Sequence, residues 1–135
     1  PGASTFGGNP VTSVSALATL DVINKYNLIR NAKNMGAYLE EKLKGLQDKH
    51  VLIGDVRGKG LMLGAELVNQ GKEPAVQETD IILECMKDKG VLIGKTGANR
   101  NVLAFQPSLI ITEDNIDELV DVLDGALCYV EKHKE

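Results

Sequence analysis

The sequence has no surplus of positive charge: fifteen Lys and Arg stand against nineteen Asp and Glu, a formal net charge of -4 at pH 7. Without a broad basic field, nucleic acid is not an expected partner. No apolar run approaches membrane-spanning length, and no basic segment is followed by an apolar core and a cleavage site. Neither a membrane partner nor a secretory signal is expected, and the chain reads as soluble and intracellular. An initiator Met is also lacking. The chain starts at Pro1, inside a motif, so a processed protein or a piece of a longer parent is expected.

Cysteine and histidine are scarce, with two of each. No CxxC is present. Cys85 shares an apolar helical face with Ile81, Ile82 and Met86, and Cys128 follows Leu127, so both read as buried free thiols suited to a reducing compartment. His50 and His133 are far apart, and each sits among charges without Cys, Asp or Glu at ligand spacing. A structural or solvated role is expected for both, with no metal site.

What remains is an ordinary globular composition, 43% hydrophobic and 25% charged over 135 residues, enough for one domain with a real core. Near its front stands STFGGNP, Ser4 to Pro10. The Ser-Thr pair and the two glycines place hydroxyls and unobstructed amides just before a helical stretch, where unpaired N–H groups and the helix dipole favour phosphate. An N-cap turn is the plainer reading, with Thr5 or Asn9 capping and Pro10 at the first helical position.

From Val11 to about Tyr26 the pattern is helical but almost chargeless. Ser13, Ser15, Ala16, Ala18 and Thr19 are small, Val14, Leu17, Leu20, Val22 and Ile23 are apolar, and Asp21 is the only charge before Lys25. Such a helix expects burial on more than one face, which a chain of this size cannot supply. A missing domain or subunit is implied. Leu28 to Gln47 is an amphipathic helix with a stripe of Leu28, Ala32, Met35, Leu39, Leu43 and Leu46. Val51–Val56 and Leu61–Leu67 then read as a hairpin joined by Arg57 to Gly60.

Pro74 opens a third helix that ends at Gly90. Val91–Ile93 and Val102–Gln106 read as strands separated by a loop from Gly94 to Asn101. Thr112 caps a last helix with Glu113 and Asp114 in its first turn and a stripe of Ile116, Leu119, Val120, Leu123 and Leu127. This order predicts an α+β fold, a small sheet with helices on one face, with a boundary near Tyr26 and Asn27.

Two nucleotide-like motifs fail. Gly94-Lys95-Thr96 resembles the end of a P-loop, yet the fifth position before Gly94 is Lys89 and Gly90 leaves the loop one residue short. The glycines at 54, 58, 60 and 64 are followed by a strand rather than a helix, against the dinucleotide pattern.

Taken in order, STFGGNP with ALATLDVI, then DVRGKGLMLGAEL, KGVLIG and FQPSLIITEDNIDEL, resemble the successive C-terminal motifs of class III pyridoxal-phosphate aminotransferases. That group includes alanine-glyoxylate, 4-aminobutyrate, ornithine and acetylornithine aminotransferases. The resemblance covers nearly the whole chain. It implies the small C-terminal domain of a fold-type I enzyme at 27–135, with 1–26 forming the end of the large cofactor-binding domain and the interdomain helix. It also implies a homodimer in which Thr5, with Ser4 as a weaker candidate, donates to the cofactor phosphate held by the neighbouring subunit.

The same resemblance places the covalent lysine, the aspartate under the pyridine nitrogen and the stacking aromatic upstream of this segment. Lys59 and Lys95 match no such motif, so no catalytic residue is assigned here and the segment alone is not expected to transaminate. Family members often carry Arg in the strand where Ala104 stands, and Ser108 replaces the second residue of their Pro-Pro pair. Either another cation, Arg100, then takes the substrate carboxylate or the substrate preference has changed, while Arg57 is placed near the active-site entrance or in a structural ion pair. An amino donor of alanine or ω-amino type, an oxo-acid acceptor, and a cytoplasmic or mitochondrial location are implied for the parent. A non-catalytic interaction domain that kept the scaffold is the alternative.

Overall fold

The structure, a computed structural model, describes residues 5–133. Its elements are α1 (Pro10–Lys25), α2 (Leu28–Lys49), β1 (Ile53–Lys59), β2 (Met62–Leu67), a single 3-10 turn (Gln70–Lys72), α3 (Val76–Asp88), β3 (Gly94–Thr96), β4 (Val102–Phe105) and α4 (Glu113–Lys132). The four strands form one antiparallel sheet in the order β1-β2-β4-β3. Alternation along the strands turns one face to the helices. In β2, Leu63, Ala65 and Leu67 are buried while Met62, Gly64 and Glu66 point the other way.

The core lies between that face and the helices. Leu39, Leu43 and Leu46 of α2, Ile82 and Met86 of α3, and Ile116, Leu123 and Leu127 of α4 meet Leu103 and Phe105 of β4 there. The stripes read from the sequence are the faces that are buried. Thr112 caps α4 as expected, its hydroxyl accepting from the Asn115 N–H while the Asn115 side chain accepts from the Thr112 N–H, a reciprocal box worth about 1 kcal/mol. Helix α2 passes so close to the β1-β2 turn that a Cβ on Gly36 would lie 2.3 Å from the backbone of Gly60. Only glycine permits that approach.

Several boundaries differ from the expectation, among them the start of α3, which is Val76 because Pro74 is still bridged to Val68. Val91–Ile93 is not a strand; the third strand is Gly94–Thr96, which had read as loop. Gly90 closes α3 in the left-handed region, and the Val91 N–H bonds back to the Met86 carbonyl at 2.9 Å, so the chain is still wrapping the helix end. Val91 and Ile93 owe their apolarity to packing on the core, and the ladder begins only where Gly94 faces Ala104. At the hairpin, pairing continues through Arg57 and Gly58 to Lys59, which faces Met62, so the connection shrinks to Gly60 and Leu61. Val51 and Leu52 precede the strand in a turn.

Helix α1 packs chiefly along α2, and none of its residues is buried. Val14, Leu17 and Leu20 are 65%, 62% and 55% exposed. The cysteines are free and half-buried rather than buried, because each lies at the margin of its helix stripe. Among the described residues no helix is long and apolar enough to cross a membrane.

Candidate functional site

The loop before α1 resolves the two readings of its capping. Asn9 is the cap: its Oδ1 accepts from the N–H groups of Val11 and Thr12 at 3.0 and 3.1 Å, and its Nδ2 donates to the Phe6 carbonyl at 2.7 Å. Pro10 fills the first helical position. Thr5 is exposed and takes no part in the cap. The two helix amides best placed for an anion are therefore already used. What this loop offers a phosphate is the Thr5 hydroxyl and the backbone ahead of Asn9. Ser4 lies outside the described residues.

The second part of the site is the sheet face turned away from the helices. Arg57 faces Gly64, Gly64 faces Ala104, and Ala104 faces Gly94, so one row crosses all four strands. It consists of a guanidinium at one end and three positions carrying a methyl group or less. At the β3 edge of the sheet, where this row ends, a cleft of about 340 Å³ is lined by Leu92, Gly94, Ala104, Phe105 and Pro107 and by Leu119 of α4.

Arg57 is not a free cation on this face. Its Nη1 donates to Asp55 and to Glu66, both at 2.7 Å, and these carboxylates, Asp55 foremost, raise its already high pKa. Of its two expected roles, the ion pair is the one present. Glu66 was beyond sequence reasoning, because only the β1-β2 register brings it beside Arg57. Arg100 stands exposed in the left-handed region, its N–H bonded to the Gly97 carbonyl at 3.1 Å. The next residue, Asn101, is anchored to β2. Asn101 is buried, donates through Nδ2 to the Leu67 carbonyl at 2.7 Å, and accepts from the Leu67 N–H at 2.8 Å. Arg100 thus sits just ahead of the strand whose third residue is Ala104.

The lysines without a matching motif have structural surroundings. Lys95 lies within β3 and pairs with Asp80 of α3, and Lys59 ends β1. Gly94-Lys95-Thr96 is itself a strand, so a P-loop is excluded for a better reason than the one the sequence offered.

The family model for class-III aminotransferases matches residues 2–127. A mitochondrial alanine–glyoxylate aminotransferase 2 homologue of Arabidopsis thaliana is 51% identical over 126 residues, covering 92% of this chain and 26% of that protein. Taurine–pyruvate aminotransferase of Bilophila wadsworthia is 44% identical over 96% of this chain and 30% of its own. Among solved structures, an S-selective transaminase from Arthrobacter sp. superposes with a TM-score of 0.88 at 37% identity, over 99% of this chain and 32% of that one. A phospholyase from Arthrobacter in complex with phosphoethanolamine gives 0.90 at 33% identity, over 93% and 30%. The chain spans less than a third of the length of each.

Proposed function

The chain belongs to the class III aminotransferases, a pyridoxal-phosphate-dependent family, and from that premise we propose that it is the C-terminal part of a homodimeric transaminase. In this reading 27–135 is the small domain, and 1–26 is the end of the large domain with its interdomain helix. The observation that carries it is the family match over residues 2–127, which spans both parts. The parent moves an amino group from an amino acid of alanine or ω-amino type to an oxo acid, in the cytoplasm or the mitochondrion. Alanine–glyoxylate and taurine–pyruvate aminotransferases among the relatives support that substrate range.

Pyridoxal phosphate supplies the carbonyl and electron sink that amino transfer needs. This chain's part is positioning. The Thr5 hydroxyl, unused by the helix cap, donates to the phosphate across the dimer. With Ala104 in place of a guanidinium, Arg100 takes the substrate carboxylate as a charge-assisted partner. Arg57 is engaged by Asp55 and Glu66 and stiffens the edge of the sheet near the entrance.

Thr5→Ala in the full-length parent tests this reading. A hydrogen bond to a charged group contributes about 1.5 to 3 kcal/mol, so cofactor retention should weaken roughly ten- to a hundredfold. Thr5→Ser, which keeps the donor, should lose much less, and the melting temperature of the small domain should hold. An unchanged dissociation constant for Thr5→Ala would overturn the assignment. The isolated chain should neither bind the cofactor covalently at one site nor turn over.

The phospholyase likeness favours a second reading, elimination of phosphate on the same scaffold. Assaying the parent for both a new amino acid and free phosphate separates the two. A parent without an upstream cofactor-binding lysine would instead make the chain a non-catalytic interaction domain.

A further inference from the structure

The seam between the end of α2 and the last turns of α4 carries a cluster that amino transfer does not use. His50 ends α2, its N–H bonded to the Leu46 carbonyl at 2.8 Å, and its ring is only 2% exposed. Asp124 and Cys128 lie one turn apart on the same face of α4. One ligand atom from each of the three, an imidazole nitrogen, a carboxylate oxygen and the thiol sulfur, lies within 4.8 Å of the other two.

The fourth member orients the ring. Glu131 sits at 2.8 Å from His50 Nδ1 through Oε2, while its Oε1 accepts from the Leu52 N–H at 3.3 Å. A carboxylate on one nitrogen of a buried imidazole, with the other nitrogen turned to further donors, is the arrangement that outer carboxylates give metal-bound histidines. Nε2 is the atom left, and it faces Asp124 Oδ1 at 2.5 Å.

We propose that His50, Asp124 and Cys128 form a binding site for a zinc-type divalent cation that fastens the end of α2 to α4. Ligand atoms around tetrahedral zinc are separated by roughly 3.3 to 3.8 Å, given bonds of about 2.0 to 2.3 Å. Reaching that spacing opens the 2.5 Å contact between His50 Nε2 and Asp124 Oδ1 and draws the Cys128 sulfur in from within 4.8 Å; Asp124 and Cys128 are both half-buried. A thiolate and an imidazole disfavour calcium and magnesium, and three protein ligands leave a fourth position to water. On binding, the Cys128 thiol proton and the Nε2 proton shared with Asp124 pass to solvent, the Nε2 lone pair so freed turns to the ion, and the Asp124 carboxylate exchanges Lys49, which is 55% exposed, for the metal. Without metal, Lys49 and His50 both rest on Asp124, and the seam is an ion-paired network.

Cobalt(II) titrated into the chelator-treated, reduced full-length parent is the test. Its ligand-field bands fall at the red end of the visible spectrum, clear of pyridoxal phosphate, so the readout does not depend on transaminase activity or on the function proposed above. One equivalent per chain should give an intense four-coordinate spectrum that zinc displaces. Cys128→Ser and Asp124→Asn should each weaken binding at least tenfold, while Cys85→Ser leaves it unchanged. No saturable band, a band indifferent to both α4 substitutions, or one lost equally in Cys85→Ser would overturn the site and leave the ion-paired network as its whole purpose.

Discussion

Helices α1 and α4 are built from comparable amounts of apolar side chain, yet α4 buries six of its residues and α1 none. The difference lies in arrangement. Helix α4 confines Ile116, Val120, Leu123 and Leu127 to one stripe, which α2, α3 and the sheet cover together. Helix α1 distributes Val11, Val14, Leu17, Leu20 and Val22 around its circumference, and α2 alone cannot cover them. The comparison shows which part of the molecule is self-sufficient. The helix-and-sheet layer closes on its own core, while α1 carries apolar surface that nothing among the described residues buries.

The largest test of that contrast pairs one leucine from each helix. Leu123→Ala should destabilise the isolated chain by about 2 to 5 kcal/mol, the range for a fully buried leucine. Leu17→Ala should change it by less than about 0.5 kcal/mol, as at other exposed positions. Urea unfolding of both variants reads the difference directly. In the full-length parent the Leu17 effect should rise several-fold, and a value that stays small there would mean that nothing covers α1.

Gly36→Ala sharpens the comparison within α2, whose one side meets α1 and whose other meets the hairpin. A Cβ there runs into the Gly60 backbone, and the overpacking should cost about 1 to 3 kcal/mol. Gly45→Ala, on the same helix with nothing within 4 Å, should be neutral or stabilising by about 0.5 to 1 kcal/mol. Equal effects at the two glycines would break the argument that α2 is held tightly against the turn.

The smallest effect belongs to Asp117 of α4. Its hydrogen bonds from Lys42 first, then from Tyr38, hold its pKa below the usual carboxylate value. Because the folded value is the lower one, this contribution is present above the ordinary carboxylate range and is lost as pH falls through the folded pKa. Asp117→Asn should therefore lower the neutral plateau of a stability profile slightly and flatten part of its acid limb. The pair is about two-fifths exposed, so the change should be small and should shrink further as salt is added.

Several elements were legible because their signals are local. The Thr112 box, the acidic first turn after it, the α2 stripe and the Gly90 stop each depend on residues within a turn or two of one another. The unpartnered character of α1 was legible for the same reason, as an excess of apolar surface over what the chain could cover. Val91–Ile93 misled because an apolar triplet records burial without recording hydrogen-bond pairing. At the candidate site the loop at Thr5 was visible, but the division of labour that gives the cap to Asn9 was not, since both residues are competent caps. Asn101 gave no signal, as a lone Asn in a loop looks the same whether it is solvated or anchoring a strand.

The sequence by itself determined the α+β class, the helical faces and the family, because periodicity and motif order are properties of the chain read in line. Tertiary structure alone decided the long-range pairings. Strand register placed Glu66 and Asp55 on Arg57 and drew Arg57, Gly64, Ala104 and Gly94 into one row. Packing of α4 on the end of α2 brought Asp124, Cys128 and Glu131 to His50 across more than seventy residues. The physical reason is the same in both cases: such contacts are fixed by where a buried core forces two elements to meet, and no spacing along the chain encodes that meeting.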